Sequence, residues 1–229
     1  MPKQTLHKIT AEKRERVLRE AAKLFAERGF EAADMAALAE RCGIAKGSLY
    51  TYFASKDELY RYVCRDGLAR SRAAVWGAVD PAWDVLRVLE HTFRAGVDFA
   101  RKHPELVALY LSVASIGLEA AAADLSDEIE RPTADRWKAL VRQGVDAGVL
   151  RADLDVEITA WHINNTYVML LAALVAEHFR IRLRVYLGGS RRVTAPQAEA
   201  LCERVIEQLA ASLRSPRPAR RLRGESHAE

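Results

Sequence analysis

The chain has 229 residues, of which 50% are hydrophobic and 29% are charged, and its formal net charge is +4. These values permit one large or two smaller folded domains with a real core, and they exclude an intrinsically disordered chain. The cysteines Cys42, Cys64 and Cys202 are isolated along the sequence, which argues against a zinc site or a disulfide framework and predicts a reduced, cytoplasmic protein.

The first predicted elements are three helices separated by short breaks. Apolar residues recur every three or four positions over about 11 to 28, and Gly29 follows as a left-handed cap. Asp34 is a good N-cap for a short second helix, and Gly43 ends that helix. The third helix is predicted from Ala45 to about Tyr52.

Helices also account for most of the remaining chain. The sequence S-K-D-E at 55–58 is a capping box that opens a fourth helix, and Pro81 and Pro104 are predicted to begin helices that run to about Lys102 and Ile116. Further helices are predicted over about 133–147 and from Asp155 to at least His178. The fold class is therefore all-α.

The end of the chain contains one ambiguous segment. Residues 180–187 (RIRLRVYL) alternate as a strand would, but no partner strand is predicted, so we expect the preceding helix to continue. T-A-P-Q at 194–197 is a capping box for the last helix, and the tail 215–229 is predicted to be disordered. The longest apolar run, 167–176, is too short to cross a bilayer, so no membrane contact is predicted.

The segment 34–53 is the most informative part of the sequence. It places two short helices around the tight turn at Gly43, an arrangement typical of a helix-turn-helix, although any two-helix turn would explain the apolar residues. The longer stretch AAKLFAERGFEAADMAALAERCGIAKGSLYTYFASKDEL closely resembles the DNA-binding domain of the TetR family of transcriptional regulators, over about residues 10 to 60. Residues 1–65 also carry 13 Lys/Arg against 9 Asp/Glu, which suits a polyanionic partner.

This resemblance implies that the third helix enters the major groove of double-stranded DNA. The residues expected to contact bases are Lys46, Gly47, Ser48, Tyr50 and Thr51. The residues expected to contact phosphates are Tyr52 and Lys56. Family members commonly have Ser where this chain has Ala45, and the missing N-cap costs about 0.5–2 kcal/mol.

The resemblance also implies a two-part organisation and a homodimer. Residues 1–56 would form the three-helix DNA-binding domain, and 57–214 a larger helical domain for effector binding and dimerisation. Two reading helices are needed for selective binding to a near-palindrome. The last two long helices, about 156–179 and 195–213, are expected to form the dimer interface, although both could belong to an intramolecular core.

The larger domain is expected to enclose a cavity for an unidentified, mainly hydrophobic effector that releases a repressor from its operator. The candidate pocket residues are Phe93, Phe99, Tyr110, Trp137, Asn165 and Met169. The polar group His162, Asn164 and Asn165 could serve either the dimer interface or the pocket.

The sequence lacks the motifs of an enzyme, because it has no glycine-rich phosphate loop, no HExxH and no G-x-S-x-G. No catalytic residue, metal site or cofactor is predicted. The remaining alternative is a DNA-binding protein of the same fold that has no small-molecule effector.

Overall fold

A computed structural model describes residues 9–113, 119–188 and 193–216, with side chains from 127 onward in the second of these segments. These segments contain ten helices, α1 to α10 in chain order, and no β-sheet. Their bounds are Ala11–Ala32, Met35–Cys42, Lys46–Tyr52, Lys56–Trp76, Val85–Lys102, Pro104–Val113, Glu119–Asp146, Val156–Val175, Glu177–Leu187 and Ala195–Leu213. The predicted all-α fold is confirmed.

Local backbone signals shape α1 and α2. Gly29 has φ 70° and ψ 175° and interrupts the helical geometry inside α1, which extends to Ala32 rather than ending at Gly29 as predicted. The Asp34 side chain accepts a hydrogen bond from the N–H of Ala36 at the start of α2, and Gly43 ends α2 with φ 64°. The turn therefore has the left-handed conformation that glycine adopts without a Cβ clash.

The buried apolar residues form two clusters. The first joins α1, α2 and α3 to the first half of α4, and it also includes Leu109 and Val113 from α6 and Ile129 from α7. The second is built on α5, α8 and α10. The DNA-binding unit expected from the sequence therefore shares its core with helices of the larger unit, and α6 packs along α1.

Three helix boundaries differ from the sequence prediction. The segment after Asp80 is a turn, and α5 begins only at Val85, because the Asp84 carboxylate accepts a hydrogen bond from the N–H of Arg87. Helix α7 begins at Glu119 rather than near Thr133. The helix predicted to continue beyond residue 178 is broken at Ala176 (φ −102°, ψ 131°), and α9 follows as a separate helix.

Pro132 lies inside α7, and side chains from α4 support the helix there. Proline has no N–H, so the carbonyl of Glu128 loses its usual helical donor. Arg72 Nη2 donates to this carbonyl and to that of Ile129, at 3.2 Å each. The Arg65 guanidinium also binds the Glu128 carboxylate, with N–O distances of 3.0–3.2 Å. Helix α4 is thereby attached to α7 at the proline.

Large exposed apolar side chains of the described residues are concentrated at the C-terminal end of the fold. Seven of the eight lie on α8 and α9, and these are Ile158, Trp161, Met169, Ile181, Val185, Tyr186 and Leu187. Helix α8 is long and apolar enough to cross a membrane, but the core helix of a soluble protein passes the same test. Its opposite face is buried against α5, α6 and α7.

Candidate nucleic-acid interface and internal cavity

Helix α3 is held in place by two fully buried side chains. Leu49 and Phe53 have 0% exposure, and both belong to the cluster that unites α1, α2 and α4. The start of α3 has no side-chain cap, because its N-cap residue is Ala45. The orientation of α3 therefore depends on packing of its inner face rather than on capping.

The predicted base-contacting residues lie on the opposite face of α3. Lys46, Gly47, Tyr50 and Thr51 are exposed and Ser48 is half-buried. The hydroxyl of Thr51 donates to the Ser48 carbonyl at 2.6 Å. A Cβ atom added to Gly47 would have no heavy atom within 4 Å. The protein's own packing therefore does not require glycine at this position.

The two predicted phosphate-contacting residues have contacts within the protein. Tyr52 is buried, with 6% exposure, so most of its ring belongs to the core. Lys56 Nζ donates to the carbonyls of Glu31 and Ala33, at 3.0 and 3.3 Å, and lies 4.6 Å from the centre of the Phe30 ring. Lys56 therefore stabilises the end of α1, and a phosphate contact by either residue stays a prediction.

Asp34 introduces a negative charge beside this surface. The hydrogen bond from the Ala36 N–H lowers the pKa of the Asp34 carboxyl, and the positive charges of Lys46 and Lys56 lower it further. The carboxylate therefore remains ionised and retains its capping role at the start of α2.

Five helices, α4 to α8, line an internal cavity. The space open to the centre of a water molecule is about 120 Å³. Most of its lining is aliphatic or aromatic. Helix α4 contributes the largest group of lining residues, which comprises Cys64, Gly67, Leu68, Ser71, Arg72, Val75 and Trp76. Burial raises the pKa of the Cys64 thiol to about 12, so this thiol is protonated at neutral pH.

Three of the six predicted pocket residues line this cavity, namely Phe99, Tyr110 and Trp137. The other three lie elsewhere. Phe93 is fully buried beside the cavity, with its ring 5.4 Å from that of Tyr167. Asn165 and Met169 line an open groove formed by α8, α9 and α10. Asn165 and Met169 lie outside the cavity although α8 lines it, because adjacent positions of a helix point to different faces.

The polar group on α8 is divided in the same way. Asn164 lines the cavity, Asn165 lines the groove, and His162 is exposed. The Asn165 Nδ2 atom is buried and has no hydrogen-bond partner in the described structure. An acceptor on a second molecule could satisfy this donor.

Glu130 is a cavity residue that the sequence analysis did not identify. Its Oε1 accepts a hydrogen bond from the Tyr110 hydroxyl at 2.5 Å, and its Oε2 lies 3.5 Å from Asn164 Nδ2. Burial and this hydrogen bond raise the pKa of Tyr110, so its hydroxyl is the donor. Glu130 belongs to the charged run DEIER, which is typical of a solvent-exposed helix and gave no sign of a cavity.

Comparison with known proteins identifies the family. The model for "Bacterial regulatory proteins, tetR family" matches residues 17–63. The HTH-type transcriptional repressor KstR2 of Mycobacterium tuberculosis is 30% identical over 154 residues, which are 67% of this chain and 77% of the relative. The solved structure of KstR2, a ketosteroid transcriptional regulator, aligns with a TM-score of 0.68 at 24% identity and covers 91% of this chain and 97% of KstR2.

Two other solved structures have the same fold. A TetR family regulator from Chloroflexus aurantiacus aligns with a TM-score of 0.72 at 26% identity, covering 94% of this chain and 100% of that one. FadR from Bacillus subtilis, solved in complex with stearoyl-CoA, aligns with a TM-score of 0.68 at 16% identity, covering 86% and 98%. From the family match and the KstR2 relative together, we conclude that this chain belongs to the TetR family of bacterial transcriptional regulators.

Proposed function

We propose that the protein is a cytoplasmic repressor that binds a near-palindromic operator as a homodimer and is released by a small, mainly apolar effector. The observation that carries this proposal is the position of α4 and α6. Both helices line the cavity and both pack in the cluster that holds α3. A ligand in the cavity therefore contacts the helices that position the DNA-reading surface.

In this proposal the exposed face of α3 reads the major groove. Lys46 donates to guanine acceptors, and the ring of Tyr50 and the methyl group of Thr51 contact thymine methyl groups. Gly47 allows the backbone of α3 to approach the bases closely. Lys56 and Tyr52 contribute to the phosphate contacts, Lys56 with the donor capacity that its two carbonyl bonds leave over.

The proposed dimer interface is the outer face of α8 together with α10. Ile158, Trp161, Asn165 and Met169 follow one another at helical spacing on α8, and the first two are 61% and 66% exposed. Apolar exposure of this kind is typical of a surface that is covered in the assembled protein. A second copy would bury these side chains in a four-helix bundle.

The proposed release mechanism is linkage between ligand binding and DNA binding. The cavity volume of about 120 Å³ is smaller than the roughly 300–1,000 Å³ of typical ligand pockets, so a larger ligand must push the lining helices apart. Displacement of α4 would change the spacing of the two reading helices. A ligand that prefers the displaced state weakens operator binding by the same coupling free energy, typically about 1–3 kcal/mol.

The chemistry of the lining supports a largely apolar effector. FadR was solved in complex with stearoyl-CoA, and KstR2 is named a ketosteroid transcriptional regulator. For this chain we propose only the shared property, an apolar body that occupies the space between α4 and α8.

The proposal is tested by selecting duplexes from a random pool with the full-length protein and then screening compounds for release of the best duplex. Fluorescence anisotropy of labelled DNA measures both steps. We expect a near-palindromic consensus and at least one apolar compound that releases it. Selection of no consensus would overturn the regulator proposal, and failure of a diverse apolar collection to release the duplex would overturn the effector.

A further inference from the structure

We define the polar corner of the cavity as Tyr110, Glu130 and Asn164. These residues come from α6, α7 and α8, and all three line the cavity. The Tyr110 hydroxyl and the Asn164 amide both point their donors at the Glu130 carboxylate, at 2.5 and 3.5 Å. The polar corner is therefore built around a single acceptor group.

The Glu130 carboxylate retains acceptor capacity. An ionised carboxylate offers about four lone-pair sites, and its second contact is at the distance limit for a hydrogen bond. In the described part of the chain no Lys, Arg or His nitrogen lies within 4 Å of this carboxylate, and the cavity residue Arg72 donates to two α7 carbonyls instead. Among the residues that the structure describes, Glu130 is thus a half-buried acceptor without a cationic partner.

A neighbouring aromatic residue is also fixed in place. Tyr167 lies one turn beyond Asn164 on α8, and its ring occupies the space where a side chain at Gly96 would begin, since a Cβ there would lie 2.3 Å from the ring. The absence of a side chain on Gly96 lets the hydroxyl-bearing edge of this ring approach the α5 backbone. The polar corner is therefore bordered by aromatic surface, which suits an apolar ligand body.

We propose that the polar corner selects effectors that combine an apolar body with a hydrogen-bond donor, either a hydroxyl or an amine, and that it rejects ligands whose cavity-facing end is a carboxylate. This inference rests on the proposed effector function of the cavity. A donor placed at Glu130 forms a charge-assisted hydrogen bond, which is stronger than a neutral one. A second carboxylate at the same place would be repelled by Glu130 and would compete with it for the Tyr110 and Asn164 donors.

The inference is tested with three probes that share a ten-carbon chain: 1-decanol, decylamine and decanoate. Trp76 and Trp137 line the cavity, so tryptophan fluorescence of the full-length protein reports binding, and calorimetry measures affinity. We expect decanol and decylamine to bind at least about 10-fold more tightly than decanoate, because leaving one buried polar group without a hydrogen bond weakens binding by about this factor.

The variant Glu130→Gln supplies the decisive comparison, because it has nearly the same shape but carries a donor and no charge. It should weaken binding of decanol and decylamine and strengthen binding of decanoate, so the preference falls or reverses. Thr133→Val is the matched control, since Thr133 lines the cavity outside the polar corner; this variant should keep the wild-type preference. Circular dichroism and ligand-free operator binding establish that each variant is folded.

Three outcomes overturn the inference: decanoate binding as tightly as decanol, an unchanged preference in Glu130→Gln, or no binding of any probe. None of these removes the proposed effector function, which fails only if a diverse apolar collection releases no operator DNA. A loss of preference in Thr133→Val equal to that in Glu130→Gln would also overturn the assignment to Glu130.

Discussion

Gly47→Ala separates what DNA requires at the reading helix from what the protein requires. Position 47 is in the first turn of α3, and a Cβ atom there would meet no heavy atom of the protein within 4 Å. Alanine is favoured over glycine in a helix by about 1 kcal/mol. Since nothing in the protein opposes the substitution, we expect a gain in unfolding free energy of about that size.

The same methyl group should oppose DNA binding. It would project from the exposed face of α3, where the proposed complex brings the backbone close to base edges. The cost per half-site should resemble that of one mismatched base pair, about 1–3 kcal/mol. We therefore expect a protein that is more stable than wild type and binds its operator at least about 10-fold more weakly.

The assay combines urea unfolding with anisotropy titration of the selected operator at fixed salt. Ala45→Ser is the matched control, because Ala45 is the uncapped N-cap of the same helix and a serine there should stabilise α3 by about 1 kcal/mol without a methyl group at position 47. Wild-type operator affinity in Gly47→Ala would refute the close approach of α3 to DNA. A loss of stability would instead refute the statement that position 47 is unobstructed.

Three other substitutions test separate parts of the structure. Lys46→Ala should blur preference at particular base pairs without a change in stability. Lys56→Ala should weaken binding to all duplexes and lower the salt slope by about 1, and it should also lower the urea midpoint, because Lys56 binds the carbonyls of Glu31 and Ala33 at the end of α1. Identical behaviour of the two variants would contradict this division. Arg72→Met should cost about 1 kcal/mol of unfolding free energy in wild type. The cost should be smaller in a Pro132→Ala background, because the Glu128 carbonyl regains a backbone donor there. An equal cost in both backgrounds would contradict the role given to Arg72. Trp161→Arg should convert the dimer to a monomer in sedimentation experiments and abolish cooperative operator binding, and a dimer of unchanged stability would place the interface elsewhere.

The sequence alone was sufficient for the features that depend on local signals. Asp34 and Gly43 have the capping roles that their residue types predict, and the capping box of Thr194 and Gln197 is present. Gly29 has the positive φ that favours glycine. These features depend on backbone conformation and on contacts within four residues. For this reason they can be predicted without knowledge of the fold.

Features that depend on tertiary contacts were harder to predict. The boundary at Asp84 was missed because Pro81 is an equally good helix start. The start of α7 was predicted near Thr133, but the helix continues through Pro132, where Arg72 of another helix donates to the carbonyl that lacks a backbone donor; this contact cannot be inferred from local sequence. The pocket prediction failed to include Glu130 for the same reason, since only the packing of α6 and α8 brings Tyr110 and Asn164 to it.

The turn of α7 from Glu128 to Pro132 connects the cavity with the DNA-binding unit. Because Pro132 removes one backbone hydrogen bond, this turn depends on side chains from other helices: Arg65 and Arg72 hold it from α4, and Tyr110 holds it from α6. Ile129 of the same turn is buried in the cluster that supports α3. A ligand donor that binds the remaining acceptor sites of the Glu130 carboxylate adds a contact to this turn, which side chains of α4 and α6 also hold. Such a difference in contacts between the free and ligand-bound states is what a coupling between cavity and DNA requires.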